Sequence, residues 1–238
     1  LGGADLLKTM TDQAMGVTRR ARAHSPFAVR QALSLRTVLT VVLVCSTVVV
    51  FSSAVAWDGT VPAWEADTLR FFNGWPDWLK PAVWLLQQVG VFGAPVVAGL
   101  IIVFFTRQWQ HLIPFVLVLP LKLSIEKAIV KRLVERERPF VSVGPDIEVR
   151  GPAFHGLSFP SGHCTTAFAL AVLVAAFLPP RWRILPLAWA VIVAIARLYL
   201  GEHNVLDVVA GAALGTAFAT VLWFVFLNRF APTTRVNR

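Results

Sequence analysis

Charged residues are scarce in this sequence. Only 15% of its 238 residues are Asp, Glu, Lys or Arg, whereas 56% are hydrophobic and the mean hydropathy is +0.66. So apolar a composition excludes an intrinsically disordered chain and argues against an ordinary water-soluble domain. Several membrane spans within a single domain are therefore predicted.

Cysteine is nearly absent too. Cys45 and Cys164 both fall in apolar stretches, so neither a disulfide framework nor a cysteine metal site is supported. The 22 basic residues outnumber the 13 acidic ones, but they are spread over the termini and short loops, which argues against a nucleic-acid partner. No cleavable signal pattern stands out, and the first residue is Leu1, so we expect a trimmed N-terminus or a piece of a longer chain.

What the sequence does have is long apolar segments. A helical span requires about 20 mostly apolar residues. Six segments qualify as candidates: 37–56, 83–105, 112–130, 163–178, 184–200 and 206–227. We therefore predict an all-α, six-transmembrane helical bundle over residues 37–228, between a basic N-terminal segment (1–36) and a basic tail (229–238).

The distribution of Lys and Arg predicts the orientation of this bundle. Basic residues gather on the side that holds both termini, so the termini are expected to be cytoplasmic. The 131–162 loop breaks this pattern with four cations, which suggests that they have another role: Lys131, Arg132, Arg136 and Arg138. The 57–80 loop on the same outer side carries four tryptophans and is typical of an interfacial aromatic belt or a short surface helix, with a direct grip on a lipid as the alternative.

Three clusters of polar residues stand out against this apolar background. In the first, Lys131 and Arg138 are seven residues apart and would share a face of a continuing helix, which Pro139 then discourages. Two converging cations suit a phosphate group, although a basic collar that attracts anionic headgroups is equally compatible. Just before them, Lys122 and Glu126 are expected to pair within the bundle.

The second cluster lies at the start of the fourth apolar segment. Pro160 stops the preceding chain, Ser161 is a good N-cap, and Gly162 allows the backbone to approach a ligand closely. The free N–H groups of the helix that follows form a potential anion site, beside which His163 could donate a proton. The alternative is a capped helix whose histidine only makes an interfacial hydrogen bond.

The third cluster joins the fifth and sixth segments. His203 and Asp207 are four residues apart, so on a helix the carboxylate would orient the imidazole and sharpen its second nitrogen as a nucleophile or base. Arg197 precedes them, and Gly201 supplies the bend. A polar pair that bridges two spans is the alternative, but ionisable residues at membrane depth are functional by default.

The predicted topology places all three clusters on the non-cytoplasmic side. Together they supply two histidines, an aspartate, three cations and a helix N-terminus, which is the set required for in-line phosphoryl transfer. No acidic cluster suited to a pair of magnesium ions is evident, so we expect a metal-independent reaction without a cofactor.

The same residues resemble the three-part signature of the type 2 phosphatidic acid phosphatase (PAP2) superfamily. The matching patterns are Lys131-x6-Arg138-Pro139, then Pro160 to His163, then Arg197-x5-His203-x3-Asp207, within roughly residues 80–228. One position departs from the family, since Ala196 stands where a serine is common; that puts fine tuning in doubt but not the nucleophile. The resemblance implies the helical fold shared with the acid phosphatases and vanadium haloperoxidases.

It also implies roles for individual residues. His203 would be the nucleophile that forms a phosphohistidine, Asp207 would orient it, and His163 would be the general acid. The remaining residues would bind phosphate oxygens: Lys131, Arg138, Arg197, Ser161 and the Gly162 amide.

We therefore expect an integral protein of a bacterial plasma membrane that dephosphorylates a lipid phosphate or pyrophosphate at the outer face, with membrane lipids around it. A lipid-linked phosphotransferase, a non-catalytic lipid-binding protein and a transporter remain alternatives. The transporter is disfavoured because the charges cluster at one face rather than along a path through the bundle.

Overall fold

The apolar segments form helices. The structure, a computed structural model, describes residues 29, 31–152 and 156–231, and within these ranges the only pairing of β type is a single bridge between Glu137 and Leu157. The predicted segments 1–36 and 229–238 lie largely outside the described residues, and their boundaries stay predictions. The α-helices are α1 (Leu35–Ala56), α2 (Ala63–Asn73), α3 (Lys80–Leu86), α4 (Ala94–Thr106), α5 (Leu112–Leu121), α6 (Lys131–Val134), α7 (Pro139–Ser142), α8 (Gly162–Ala175), α9 (Ile184–Tyr199) and α10 (Val205–Leu222).

The helical character of the predicted bundle is confirmed, with spans of unequal length. Three continuous helical stretches among the described residues are long and apolar enough to cross a membrane: Leu35–Ala56, Pro180–Tyr199 and Val205–Phe230. The second predicted segment is a bent pair, Asp77–Gly90 and Ala94–Thr106, with an angle of 71° between its halves. Three or four spans thus meet this criterion, and the count of six stays a prediction.

The remaining two predicted segments are irregular or short. Helix α5 contains Pro120 and continues as a π-helix over Lys122–Val130. Helix α8 has only 14 residues. It is the central helix of the bundle, and its residues Leu170 and Leu173 belong to the main apolar core.

Helices α8 and α10 cross closely enough that their backbones touch. Gly211 and Gly215, one helical turn apart on α10, face α8, and a Cβ added at either position would collide with a carbonyl oxygen, that of Ser161 or that of Thr165. Small residues at such spacing allow helices in membranes to approach closely. The crossing places the start of α8 beside the start of α10, where the Ser161 N–H donates to the Asp207 carbonyl at 2.8 Å.

Replacing Gly215 with valine tests this crossing. Because the new side chain would push against the backbone of α8, we expect G215V to lower the melting temperature of the purified protein, by the equivalent of about 1–3 kcal/mol or more. The control is G93A, since a Cβ at Gly93 meets no atom within 4 Å. Equal melting temperatures for G215V and the unchanged protein would contradict the close crossing.

Candidate active site

The three polar clusters meet at one end of the bundle. Besides the contact between Ser161 and Asp207, Arg138 Nη1 donates to the Glu202 carbonyl at 2.8 Å, which ties the first cluster to the third. Lys131 Nζ donates to the Leu157 carbonyl at 3.0 Å and lies near enough to Arg138 and Asp207 to act on them electrostatically. All eight sequence-predicted site residues are therefore gathered in one region: Lys131, Arg138, Ser161, Gly162, His163, Arg197, His203 and Asp207.

His203 and Asp207 are close, although not as two residues of one helix. The interpretation that both lie on a helix face is wrong, because α10 begins only at Val205 and His203 occupies the preceding turn. His203 Nδ1 is nevertheless 3.5 Å from Asp207 Oδ2, and both side chains are buried. Since Nδ1 faces the carboxylate, Nε2 is the ring nitrogen left to face a reacting group.

The surroundings of His203 favour its neutral form. Burial lowers the pKa of this imidazole well below its usual value, and the positive charges of Arg197, Arg138 and Lys131 lower it further. A neutral imidazole has a lone pair that can attack phosphorus, which the protonated ring lacks. The cations predicted to hold a phosphate therefore also keep the histidine nucleophilic.

Asp207 belongs to a buried ion network that the sequence reasoning missed. The guanidinium group of Arg136 makes a fork with both oxygens of Glu65, at 2.9 and 2.7 Å, and its Nη1 lies 3.4 Å from Asp207 Oδ1. Glu65 also accepts a hydrogen bond from the Leu206 N–H at 2.8 Å, and Asp207 accepts one from the Asn204 N–H at 2.8 Å. Arg136 and Glu65 are both fully buried, so each charge depends on the other.

The cations of the first cluster lie near each other, but the backbone between them differs from the predicted continuous helix. The expectation that Lys131 and Arg138 share a face of one helix is wrong, because α6 ends at Val134 and Glu135 adopts a left-handed conformation with φ 47°. Arg138 is instead the N-cap of α7. The chain reversal at Glu135 ends the helix before Pro139 could.

Arg197 is the most deeply buried of the three proposed phosphate ligands. Its guanidinium group contacts the side-chain oxygens of Gln87 and Glu202, while its Nε has no partner among the described residues. Neither contact was predicted. Gln87 belongs to the bent second segment and gave no signal in the sequence, whereas Glu202 immediately precedes the predicted nucleophile and could have been noticed.

The N-terminus of α8 faces the same region. Ser161 is its N-cap residue as predicted, but the hydroxyl group makes no capping hydrogen bond and is buried without a partner among the described residues. Gly162 lies against the side chains of Lys122 and Glu126, where a Cβ would approach within 3.0–3.2 Å. Glycine at this position therefore lets these two side chains lie close to the N-terminus of α8.

The predicted pairing of Lys122 with Glu126 is not found. Within the described residues the Lys122 ammonium group donates instead to the Thr166 hydroxyl at 3.1 Å, and Glu126 Oε2 is buried without a hydrogen-bond partner. The π-helical turn that carries both residues alters their relative positions from those of an α-helix.

His163 occupies the first turn of α8, partly buried. Its side chain packs against Gly90, where a Cβ would come within 2.9 Å of it. Arg197, His203, Lys122 and Arg138 are all near enough to act on its ring electrostatically. The second histidine is thus a neighbour of the first, as a proton donor to a phosphate ester bound at His203 must be.

Comparison with known proteins places this arrangement in context. The sequence profile of the PAP2 superfamily matches residues 111–231. The lipid A 4'-phosphatase of Bacteroides thetaiotaomicron is 28% identical over 175 residues, 68% of this chain and 76% of that protein. The decaprenylphosphoryl-5-phosphoribose phosphatase of Mycobacterium tuberculosis is 38% identical over 96 residues, 40% of this chain and 50% of that protein.

A solved structure shares the fold. The crystal structure of a transmembrane PAP2-type phosphatidylglycerolphosphate phosphatase from Bacillus subtilis superposes with a TM-score of 0.60 at 22% identity, covering 75% of this chain and 93% of that one. Together with the apolar helices, this likeness makes the chain an integral membrane protein.

Removing the charge of Glu65 tests the buried network. We expect E65Q to destabilise the protein by about 3–5 kcal/mol, because Arg136 would keep a buried charge without its main counter-ion. The measurement is the melting temperature in detergent. The matched control is D67N on the same helix, since Asp67 is 76% exposed and lies 3.7 Å from Arg70. If E65Q and D67N have the same melting temperature, the network does not stabilise the fold.

Proposed function

The chain belongs to the PAP2 superfamily and is a membrane phosphatase, and from that premise we propose that it hydrolyses a lipid phosphate or pyrophosphate through a phosphohistidine on His203. The observation that carries this proposal is the convergence of two histidines with buried cations at a helix N-terminus. Its named relatives act on lipid A and on a decaprenyl-linked sugar phosphate. A phosphorylated polyprenyl or glycolipid headgroup is therefore the proposed substrate class, with glycerophospholipid phosphates included.

In the first step His203 Nε2 attacks phosphorus in line with the departing lipid oxygen. The bond between nitrogen and phosphorus forms as the bond between phosphorus and the lipid oxygen breaks. Asp207, 3.5 Å from Nδ1, stabilises the positive charge that the ring acquires. Arg136 and the Asn204 N–H keep this carboxylate in place.

His163 completes the step as a general acid. Its protonated ring gives a proton to the lipid oxygen as that oxygen leaves, and the neutral ring then takes a proton from the water that attacks the phosphohistidine. Inorganic phosphate is released and His203 is restored. The closeness of His163 to His203 supports this role, and the negative charge of a bound phosphate would favour the protonated ring.

The phosphate charge is held by groups that are already in position. Lys131, Arg138 and Arg197 supply positive charge, and the N-terminus of α8 supplies the Gly162 amide beside the unpartnered Ser161 hydroxyl. Donors fixed in this way stabilise the charge that develops in the transition state. The site is proposed to face the non-cytoplasmic side, with both termini in the cytoplasm, on the Lys and Arg distribution alone.

The roles of the two histidines can be distinguished with substrates that differ in their leaving group. Against a lipid phosphate with an alkyl leaving group, H163A should lose about 10²–10⁴-fold in rate. Against p-nitrophenyl phosphate, whose leaving group departs without protonation, H163A should release up to one equivalent of nitrophenol in a rapid burst and then turn over slowly. H203A should be inactive on both substrates and show no burst.

Melting temperatures of both variants provide the folding control. A burst in H203A would overturn the assignment of His203 as the nucleophile. If H163A lost equal rate on both substrates and showed no burst, His163 would not be the general acid.

A chelator tests the proposed independence from metal. Because the positive charge at the site comes from three basic side chains, we expect phosphate release to be unchanged after incubation with EDTA and dialysis. The readout is phosphate released from a lipid phosphate in mixed micelles, with added Mg²⁺ as the matched arm. Loss of activity on chelation, with recovery on adding Mg²⁺, would contradict a metal-free reaction.

A further inference from the structure

Glu202 lies among the cations that the proposed function assigns to phosphate. One carboxylate oxygen, Oε2, contacts Arg197 Nη2 and lies 4.0 Å from Arg138 Nη1. The side chain is only 4% exposed, and its other oxygen, Oε1, is buried without a hydrogen-bond partner among the described residues. An anion therefore already occupies the space between two proposed phosphate ligands.

The carboxylate is held in a fitted pocket. Gly151 covers it so closely that a Cβ at that position would overlap Oε1. The Glu202 carbonyl meanwhile accepts a hydrogen bond from Arg138 at 2.8 Å, which fixes the backbone of this residue against the first cluster. The backbone of Glu202 is thus anchored, so a displacement would involve its side chain alone.

Charge balance explains why an anion is needed there. Arg197 is buried together with other positive side chains, and a buried charge without a counter-ion costs several kcal/mol. A guanidinium group binds carboxylate and phosphate with the same planar set of donors. The two anions therefore compete for the same N–H groups, and their mutual repulsion prevents both from binding there at once.

We propose that Glu202 is an internal competitor of phosphate, which neutralises Arg197 and Arg138 and must be displaced when a phosphate group binds. This inference rests on the proposed assignment of those two arginines as phosphate ligands. A lipid substrate offsets the displacement with the binding of its apolar chain, whereas the inorganic phosphate product has no such contribution. Glu202 therefore lowers the affinity for the product more effectively than it hinders turnover.

The test is direct binding of inorganic phosphate and of orthovanadate to the purified protein in detergent, by isothermal titration calorimetry. We expect E202Q to bind both anions about tenfold or more tightly than the unchanged protein, because a close negative charge is removed without a change in shape. E202D keeps the charge but shortens its reach, so it should also bind more tightly. E202D is the variant to measure if E202Q does not fold.

The matched control is E148Q. Glu148 pairs with Arg150 and is itself 56% exposed, so loss of its charge should leave both dissociation constants unchanged. Unchanged dissociation constants in E202Q and E202D would overturn the proposal. Weaker binding would overturn it too, and would make Glu202 a residue that positions Arg197 for phosphate.

Measuring both anion binding and lipid phosphate hydrolysis distinguishes a failure of this inference from a failure of the proposed function. If the unchanged protein binds vanadate but hydrolyses no lipid phosphate, the phosphatase mechanism fails and the competition by Glu202 can still hold. If it hydrolyses lipid phosphate while E202Q binds the anions no more tightly, only the inference about Glu202 fails. If no lipid phosphate is hydrolysed and none of the variants binds either anion, both are overturned.

Discussion

The buried fork between Arg136 and Glu65 is the interaction on which the site depends. It connects three separate parts of the chain, because Glu65 belongs to α2, Arg136 to the turn after α6, and Asp207 to the first turn of α10. Without Arg136, two carboxylates would face each other in a region closed to water, and one of them would have to take up a proton or move. The fork therefore offsets part of the cost of burying Asp207 and holds it in place behind His203. The turn at Glu135 has its explanation here as well, since it directs the Arg136 side chain inward and leaves Arg138 for the mouth of the site.

Charge is balanced in two layers around His203. Behind the imidazole, one arginine is matched by two carboxylates; in front of it, Arg138 and Arg197 are matched by Glu202. The inner layer is sealed, and a change there would cost folding stability. The outer layer is built from the same kinds of group, but its anion can be exchanged for phosphate. This division explains how a site with so many buried charges can be both stable and able to bind a ligand.

The fold class and the gathering of the site residues could be predicted from the sequence, and the local geometry could not. Apolar segments and motif spacing were sufficient to predict helices and a meeting of the clusters, because hydrophobic length and the order of spans constrain where the loops lie. The helix through Lys131 and Arg138 was predicted wrongly, since the left-handed turn at Glu135 depends on tertiary contacts of its neighbour Arg136. Glu65 was missed for a related reason: in the sequence it is one of several acidic residues in a polar loop, and only the packing of α2 distinguishes it from Asp67.

Helix α2 links the depth of the site to the expected surface of the membrane. Trp64 is 53% exposed, whereas its neighbour Glu65 is fully buried, so consecutive residues point in opposite directions. Indole rings favour the boundary between hydrocarbon and headgroups. A helix held at that boundary by Trp64 would hold Glu65, and through Arg136 also Asp207 and His203, near the level at which a lipid presents its phosphate. The tryptophans of this loop would then matter to the substrate without touching it, because the depth of α2 would determine the depth of the nucleophile.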